Sequence, residues 1–363
     1  MNKNVSTPPE SMESLSMEEL NIRIINIKKH LDKRLLILGH HYQTDDVIRY
    51  ADERGDSFAL AKIASQTDAE YIVFCGVHFM AETADIVTSA HQRVFIPDVT
   101  AGCFLADCAR SYDVDNAWED IRSAGSFRTI PITYVNSSAE LKAFCGRNGG
   151  LVCTSSNAGA AINWAFERGE KVFFFPDQHL GRNTAFNMGI PLNEMILWDP
   201  EETLGGNSIE AIRNARVILW DGFCIVHLEF NAEYVDSLRK QYPSVNVIVH
   251  PECNFEVAQT ADYMGSTAYI IKMIEQSPTG SHWAVATERN LVNRLKKQHT
   301  DKRIEILQSF EPYCKSMAQI TVLNLAHQLE QLSRGNLVNQ IIVDKRYRKE
   351  ALNALKRMLE LKI

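Results

Sequence analysis

The sequence lacks the features that mark several classes of protein. Its apolar runs fall well short of the roughly 18 residues that a membrane helix needs, and its polar N-terminal stretch has no apolar segment typical of a secretory signal. Acidic residues outnumber basic ones, with 45 Asp and Glu against 38 Lys and Arg, so neither a nucleic-acid partner nor an anionic membrane surface is indicated. We therefore expect a soluble, cytoplasmic globular protein.

Short metal and phosphate motifs are also missing. The eight cysteines are scattered, without the CxxC pairs of a zinc ribbon or the dense framework of a small secreted domain. Neither a GxGxxG loop nor a Walker loop is present, so nucleotide binding has no support. These absences favour a reducing compartment, and any cysteine metal site must draw on residues that are far apart in sequence.

What the sequence does contain is an alternation of apolar strands and helical segments. A helix is predicted near residues 17–32, crossover helices at SFALAKIAS and AAINWAFERGE, and further helices near the C-terminus. Because continuous apolar runs are typical of parallel strands buried on both faces, this pattern predicts an α/β protein. The predicted strands are LLILGHH, YIVFCGV, RVFIPDV, TIPITYV, KVFFFPD, VILWDGF, VNVIVHP and WAVATE.

The same order of polar residues occurs three times along the chain. Each copy has a polar group after its first strand, a serine or threonine after its second element, and a cysteine after its fourth; a Gly- and Pro-broken insert at 187–207 lengthens the middle copy. We predict α/β repeats at 31–115, 116–232 and 233–325, an N-terminal tail and helix at 1–30, and C-terminal helices at 326–363 that pack on the scaffold. The three rows are His40, Ser57 and Cys103; Tyr134, Ser155 and Cys224; and His250, Thr267 and Cys314.

The matched cysteines suggest a shared metal site. Ligands of parallel sheets bind at the carboxyl ends of the strands, so three repeats that face one another could bring Cys103, Cys224 and Cys314 together. These residues could be plain buried thiols, or thiolates on zinc or an iron–sulfur centre. Three cysteines on a 4Fe–4S cluster would leave one iron open as a Lewis acid. The other cysteines are outside this register; we expect Cys253 beside the site and structural roles for Cys75, Cys108, Cys145 and Cys153.

Two further rows of polar residues offer chemistry at the same strand ends. Ser57, Ser155 and Thr267 fall at predicted strand-to-helix turns, where they could cap a helix or line a site for an anion. The polar groups that end the apolar strands, from His40 to Tyr42 and from His250 to Glu252, could donate and accept protons. His179 and Arg182 form another candidate binding pair, whereas His78 and Glu82 are expected to pack and cap a helix.

Taken together, these residues resemble the quinolinate synthase family over positions 35–325. No one stretch would suffice, but their number and order make the resemblance specific. The matching stretches are GHHYQ, GDSFALA, FCGVHFMAETADI, PDVTAGCFLAD, YVNSSAELKA, CTSSNA, PDQHLGR, GFCIVHLEF, HPEC, GSTAYII and ATERN.

The resemblance implies three Rossmann-like domains, each with a short parallel sheet, in a pseudo-threefold arrangement around a central site. It implies one 4Fe–4S cluster per chain, held by Cys103, Cys224 and Cys314 with one open iron. The implied reaction is a transfer that condenses iminoaspartate with dihydroxyacetone phosphate to give quinolinate, phosphate and two waters, for de novo NAD biosynthesis. A transient contact with L-aspartate oxidase is compatible with the family, although no motif in the sequence indicates it.

The resemblance also implies roles for single residues. Glu252 matches the acid/base glutamate, and Tyr42 and His40 its partners in proton transfer and orientation. The implied substrate-binding residues are His40, Ser57, Tyr134, Val135, Asn136, Ser155, His179, His250, Pro251, Glu252 and Thr267.

The sequence departs from the family pattern in small ways and leaves two other functions open. Lys315 follows Cys314 where proline is common, Gly39 precedes His40 where alanine is common, and Cys314 stands outside any CxxCxxC motif. One alternative is an α/β enzyme that binds phosphate ligands without a metal. The other is an iron–sulfur protein for electron transfer or sensing, which would need a fourth protein ligand that the cysteine register does not offer.

Overall fold

The computed structural model describes residues 4–362, and within this range the chain alternates between strands and helices as an α/β protein. All eight strands predicted from the sequence are present, and six short strands were not predicted. In chain order the strands are β1 Leu35–His40, β2 Glu53–Gly55, β3 Tyr71–Cys75, β4 Arg93–Phe95, β5 Thr129–Tyr134, β6 Leu151–Cys153, β7 Lys171–Phe175, β8 Met195–Trp198, β9 Val217–Trp220, β10 Asn246–Val249, β11 Tyr263–Met264, β12 His282–Ala286, β13 Arg303–Ile306 and β14 Gln340–Ile341.

The helices include the predicted N-terminal helix and both crossover helices. None of those in residues 4–362 is both long enough and apolar enough to cross a bilayer. In chain order they are α1 Glu10–Glu13, α2 Met17–Leu31, α3 Asp45–Ile48, α4 Ser57–Gln66, α5 His78–Val87, α6 Phe104–Asp107, α7 Ser111–Ser123, α8 Ala139–Arg147, α9 Ala158–Phe166, α10 Gln178–Asn187, α11 Ile209–Asn214, α12 Ala232–Gln241, α13 Phe255–Thr260, α14 Thr267–Gln276, α15 Arg289–Gln298, α16 Lys315–Ala318, α17 Val322–Ser333 and α18 Lys345–Glu360.

The strands form three sheets that share one internal order. The first sheet is ordered β14-β4-β3-β1-β2, the second β6-β5-β7-β9-β8 and the third β11-β10-β12-β13. In each sheet the first strand of the repeat lies between the second and the third, and the fourth lies beyond the third. The predicted three α/β repeats therefore exist as three sheets of the same parallel topology, apart from β14, which runs antiparallel to β4.

The first compact unit contains the chain up to Cys103 and returns for residues 314–344. Its sheet is buried at the centre, where β3 has no exposed residue, and β14 at the edge interrupts a C-terminal region that had been predicted as helical. Helix α2 packs against α17. It begins with a capping box in which the Ser16 hydroxyl accepts from the Glu19 N–H and the Glu19 carboxylate accepts from the Ser16 N–H.

The second compact unit contains residues 104–313 and the chain from Lys345 onward, with the second and third sheets. The strand β7 supplies its most apolar run, in which Phe173, Phe174 and Phe175 are all fully buried. Burying each such ring stabilises the fold by roughly 1.5–3 kcal/mol. The insert at 187–207 forms β8, an additional edge strand, which explains why the middle repeat is longer.

Candidate active site

Two turns of the same design follow the first strands of the first and third sheets. In the first unit, Nδ1 of His40 accepts a hydrogen bond from the backbone N–H of Tyr42, at 3.1 Å. In the second unit, Nδ1 of His250 accepts from the backbone N–H of Glu252, at 3.3 Å. The histidine is the last residue of β1 and directly follows β10. In both repeats the chain turns back over its ring, so the residue two places later is held beside the strand end.

Glu252 is the centre of a buried polar cluster in the second unit. The residue is only 3% exposed. The Tyr134 hydroxyl donates to Oε1 at 2.6 Å, and Nδ1 of His227 lies 2.7 Å from Oε2. Both carboxylate oxygens therefore have a close polar partner, as a buried charge requires. The structure thus brings together three of the predicted site residues, Tyr134, His250 and Glu252.

His227 is a member of this cluster that the sequence analysis missed. It lies on a short 3₁₀ turn at 227–229 and is 1% exposed. Its ring stacks on that of His250 at a centroid distance of 4.5 Å, and its Nε2 lies 3.1 Å from the Thr287 hydroxyl. Because an ionised carboxylate only accepts hydrogen bonds, a proton on Nδ1 of His227 would face Oε2 of Glu252. A signal was available, since this polar residue follows a buried strand in GFCIVHLEF.

The cluster lowers the pKa values of both Glu252 and His250. Burial raises the pKa of Glu252, but the imidazoles of His250 and His227 and the hydrogen bond from Tyr134 lower this pKa by more, so it falls below its ordinary value. Burial lowers the pKa of His250 to about 3, against the opposing charge of Glu252. The result is a carboxylate between a phenol and an imidazole, which is an arrangement that can accept and return a proton.

A second buried carboxyl group, Asp177, has the opposite tendency. Burial, and then the charge of Glu252, raises the pKa of Asp177 well above its usual range. Its Oδ1 caps α10 by accepting from the N–H groups of His179 and Leu180, at 2.8 and 2.9 Å. Two carboxyl groups whose pKa values are pushed apart can take different roles at one pH. Here the pKa of Glu252 is lowered and the pKa of Asp177 is raised.

The three cysteines predicted as cluster ligands differ from most of the others in burial. Cys103, Cys224 and Cys314 are half-buried, whereas Cys75, Cys145, Cys153 and Cys253 are buried in the core. Burial raises the pKa of Cys75 to about 12 and also raises the pKa values of Cys145 and Cys153. Cys108 is half-buried too, and burial raises its pKa. The predicted structural cysteines therefore behave as inert thiols.

The donor set around Cys224 suits a metal. Its Sγ, a ring nitrogen of His227 and a carboxylate oxygen of Glu252 lie within 4.8 Å of one another. Thiolate, imidazole and carboxylate are ligands of zinc and of iron. The predicted ligands Cys103 and Cys314 both belong to the first unit, where Cys103 ends the first segment and Cys314 precedes α16. The donor set of Cys224, His227 and Glu252 therefore fits a metal with one sulfur ligand.

The predicted row of hydroxyls lies at strand-to-helix turns, but its members do not cap the helices. The caps are Asp56 for α4 and Ser266 for α14, and Asn157 precedes α9. The side chains of Ser57, Ser155 and Thr267 make no hydrogen bond with any other residue of the described range 4–362. Since the neighbouring residues occupy the cap positions, these three hydroxyls remain available to an anionic ligand.

The remaining predicted residues lie in several places. Ser155 and Pro251 line one cavity of about 430 Å³, together with Gly265 at the end of β11. Val135 is buried, and its N–H donates to Cys153. The amide oxygen of Asn136 is buried without a hydrogen-bond partner in residues 4–362.

His179 does not line the Ser155 cavity. It lies on α10, 8% exposed, and lines a cavity of about 410 Å³ with Arg182, Leu192 and Phe255. Burial lowers the pKa of His179 to about 4, and Nη1 of Arg182 is 3.5 Å from its Nδ1. In the first unit, the rings of His40 and Tyr42 meet edge to face at 4.8 Å.

Comparisons with known proteins give one consistent result. Residues 22–360 match the family model described as quinolinate synthetase A protein. The chain is 50% identical over 364 residues to the quinolinate synthase of Geobacillus sp. (strain WCH70), covering 99% of this chain and 98% of that protein. It is 49% identical over 356 residues to the quinolinate synthase of Bacillus cereus (strain B4264), covering 97% of this chain and 96% of that protein. The matched region includes every predicted site residue from His40 to Cys314.

Proposed function

Because the chain belongs to the quinolinate synthase A family, we propose that it condenses iminoaspartate with dihydroxyacetone phosphate. The products are quinolinate, phosphate and two waters, and the reaction is a transfer that supplies de novo NAD biosynthesis. Carbon, nitrogen and phosphorus balance without an oxidant or reductant, so the residues need only move protons and release phosphate and water. The observation that carries this proposal is the buried Tyr134–Glu252–His227 cluster.

The cluster has the parts that proton transfer needs. Glu252 accepts a proton from the substrate carbon or nitrogen and returns it to a departing hydroxyl, with typical rate contributions of about 10²–10⁴-fold. Tyr134 stabilises the ionised carboxylate by its hydrogen bond. His227, whose Nδ1 lies beside Oε2 of Glu252 and whose Nε2 faces Thr287, holds the carboxylate in place while Glu252 takes up and returns the proton. Tyr42 and His40 orient substrate in the first unit.

The anionic groups of the substrates need donors, because the chain as a whole is acidic, with a net charge of −7. The free hydroxyls of Ser57, Ser155 and Thr267 are suited to phosphate and carboxylate oxygens. Tyr134, Val135, Asn136, His250 and Pro251 complete the substrate-binding set, and the unpaired amide oxygen of Asn136 can accept from a substrate hydroxyl or imine. His179 serves as an outlying contact.

Cys103, Cys224 and Cys314 would hold one 4Fe–4S cluster per chain. Its iron without a protein ligand would supply a Lewis acid that polarises a substrate oxygen or nitrogen. Support comes from the donor chemistry and partial exposure of these cysteines, which the buried core cysteines do not share.

The first test is anaerobic purification, followed by analysis of iron, sulfide and the absorption spectrum with and without quinolinate. We expect about four irons and four sulfides per chain and a spectrum that quinolinate perturbs. A single zinc per chain would instead assign a mononuclear centre to Cys224, His227 and Glu252. A cluster that undergoes reversible redox but ignores quinolinate would favour an electron-transfer or sensing protein.

The second test is Glu252→Gln. We expect the variant to retain its iron and lose turnover by about 10²–10⁴-fold. A Glu252→Gln enzyme with near-normal kcat would remove this residue from the acid/base role, whatever the metal analysis shows.

The proposal includes a cytoplasmic location and a transient contact with L-aspartate oxidase. The scattered cysteines support the location, and the hydrolytic lability of an imine supports direct delivery of iminoaspartate. In a coupled assay, an inactive variant of this protein should compete for delivery if the two enzymes touch. An unchanged rate would leave free diffusion as the route.

A further inference from the structure

A single amide on α10 holds the turn that carries Glu252. Asn183 is fully buried, and its Nδ2 donates hydrogen bonds to the carbonyl oxygens of Pro251 and Cys253, at 3.0 and 2.8 Å. These carbonyls belong to the residues immediately before and after Glu252. One side chain from a different repeat therefore fixes the backbone on both sides of the acid/base residue.

The other backbone hydrogen bonds of this turn are local or come from the adjacent strand. The N–H of Cys253 donates to the His250 carbonyl at 3.0 Å, and the N–H of His250 donates to Ala286 on β12 at 3.0 Å. These bonds place the turn at the end of its own sheet. They do not tie it to the second sheet, from whose strand β5 Tyr134 reaches Glu252. Asn183 supplies that connection because α10 belongs to the same repeat as β5.

The helix that presents Asn183 is itself firmly held. Asp177 caps its first turn through two backbone N–H groups. Near its other end, Phe186 packs edge to face on Phe255 of α13, with a centroid distance of 5.0 Å. A side chain on an anchored helix positions its partner more exactly than one on a loop can.

The amide is not needed for packing alone. Its Oδ1 is buried and has no hydrogen-bond partner in residues 4–362, which is a desolvation cost that an apolar side chain of similar volume would avoid. An asparagine at this position is therefore best explained by the two hydrogen bonds that its Nδ2 donates, which an apolar side chain could not make. These two bonds hold the backbone on both sides of Glu252, and the position of this backbone determines where the carboxylate lies relative to Tyr134 and His227.

We propose that Asn183 is a positioning residue for turnover, acting through Glu252 by clamping the carbonyls of Pro251 and Cys253. This inference rests on the proposed acid/base role of Glu252. Asn183 is buried away from solvent and acts here through the backbone on both sides of Glu252, so its loss should lower kcat and leave KM for both substrates nearly unchanged. A misplacement of about 1 Å at a reacting group can cost on the order of 10²-fold in rate.

The experiment compares Asn183→Ala with a matched asparagine outside the cluster. Asn207 is half-buried and its Nδ2 also donates to backbone carbonyls, those of Leu197 and Gly205, both at 2.7 Å. We expect Asn183→Ala to lose roughly 10–100-fold in kcat with unchanged iron content, and Asn207→Ala to keep its kcat. If the alanine variant does not accumulate as folded protein, Asn183→Ser serves as the test variant. Its hydroxyl can replace one of the two donors, so we expect a smaller decrease in kcat.

The double variant Asn183→Ala/Glu252→Gln separates positioning from general damage. If Asn183 acts through Glu252, the double variant should turn over no more slowly than Glu252→Gln alone. A full additional loss in the double variant, an increase in KM in place of a decrease in kcat, or an unchanged kcat in the single variant would each overturn the inference. A normal kcat in Glu252→Gln would instead refute the acid/base role itself, so the two failures are distinguishable.

Discussion

The phenolic oxygen of Tyr134 and Oε1 of Glu252 lie 2.6 Å apart, although 118 positions separate the two residues in the chain. Tyr134 ends the first strand of the second sheet, and Glu252 follows the first strand of the third. The contact therefore joins equivalent strand ends of two repeats. It is a charge-assisted hydrogen bond in a buried place, where such bonds are at their strongest.

Removal of this hydroxyl should slow the enzyme without dismantling it. A hydrogen bond to a charged group is worth about 1.5–3 kcal/mol, so we expect Tyr134→Phe to lower kcat roughly 10–100-fold. The control is Tyr347→Phe, which deletes a tyrosine–glutamate hydrogen bond of 2.8 Å to Glu140, away from the cluster. Steady-state quinolinate formation measures both. Equal losses in the two variants would mean that the Tyr134 bond has no special part in turnover.

Substitution of the cysteines should separate ligands from bystanders. We expect Cys224→Ser to lose iron and activity together, because a serine hydroxyl is a poor ligand for a soft metal. Cys108→Ser is the matched control, since Cys108 is also half-buried but lies outside the register of the three predicted ligands. Iron and sulfide per chain are the measurement. If Cys224→Ser retains a full complement of iron, the proposed ligand set is wrong.

Asp177 should make the fold less stable as the pH rises. Its pKa in the folded chain lies well above the ordinary 3.8 because of burial and the charge of Glu252. Between those two pKa values the folded state holds a proton that the unfolded state has released, so each pH unit in this window costs up to about 1.4 kcal/mol of stability. Asparagine cannot ionise. The melting temperature of Asp177→Asn should therefore rise relative to that of the wild type as the pH increases.

The measurement is thermal unfolding of both proteins from about pH 5 to about pH 8. Asp120→Asn, on the exposed side of α7, is the control for a surface substitution. A difference between Asp177→Asn and the wild type that stays constant with pH would mean that Asp177 is already ionised in the folded chain.

The packing of α18 against α8 offers a prediction about stability alone. A Cβ atom on Gly146 would lie 2.0 Å from the backbone oxygen of Glu350, so the helices must separate to admit it. We expect Gly146→Ala to lower the free energy of unfolding by about 1–3 kcal/mol. At Gly159, in α9, the nearest atoms to an added Cβ are 3.8 Å away, and alanine there should be neutral or stabilising by up to about 1 kcal/mol. Chemical denaturation compares them, and an unaffected Gly146→Ala would contradict the close approach.

The eight strands predicted from the sequence are the interior strands of the three sheets. The six strands that were not predicted are the edge strands, two in each sheet. Interior strands such as β7 are buried on both faces, so their sequences are continuous apolar runs. Edge strands are short, and apart from the buried β6 they are partly exposed. For example, β11 has two residues, and β2 has three, two of them exposed. Neither apolar periodicity nor composition distinguishes such segments from loops. They are fixed by the neighbouring strand that they pair with.

The site was predictable in part for a similar reason. Tyr134 ends an apolar strand, and His250 and Glu252 closely follow another, where a polar residue is conspicuous in the sequence. His227 could not be predicted in the same way because it lies on a turn several residues beyond a strand. In the sequence, the nearby Cys224 is the more obvious candidate for a functional residue. Asn183 gives no sequence signal, since a polar residue in a helix is ordinary until the helix is placed beside the turn that it clamps.

The chain's division into interrupted segments has a consequence for how it is made. The first unit needs residues 314–344 as well as the N-terminal segment, and the N–H of Val343 donates to the Asp85 carboxylate across 258 positions. During translation the N-terminal segment of this unit therefore emerges from the ribosome long before residues 314–344 are synthesised. Many N-terminal domains fold completely during translation, before the next domain is made. The first unit of this protein cannot do so, because its last residues follow those of the second and third sheets. Its first sheet must wait, with the β4 edge uncovered, until residues 314–344 have been synthesised.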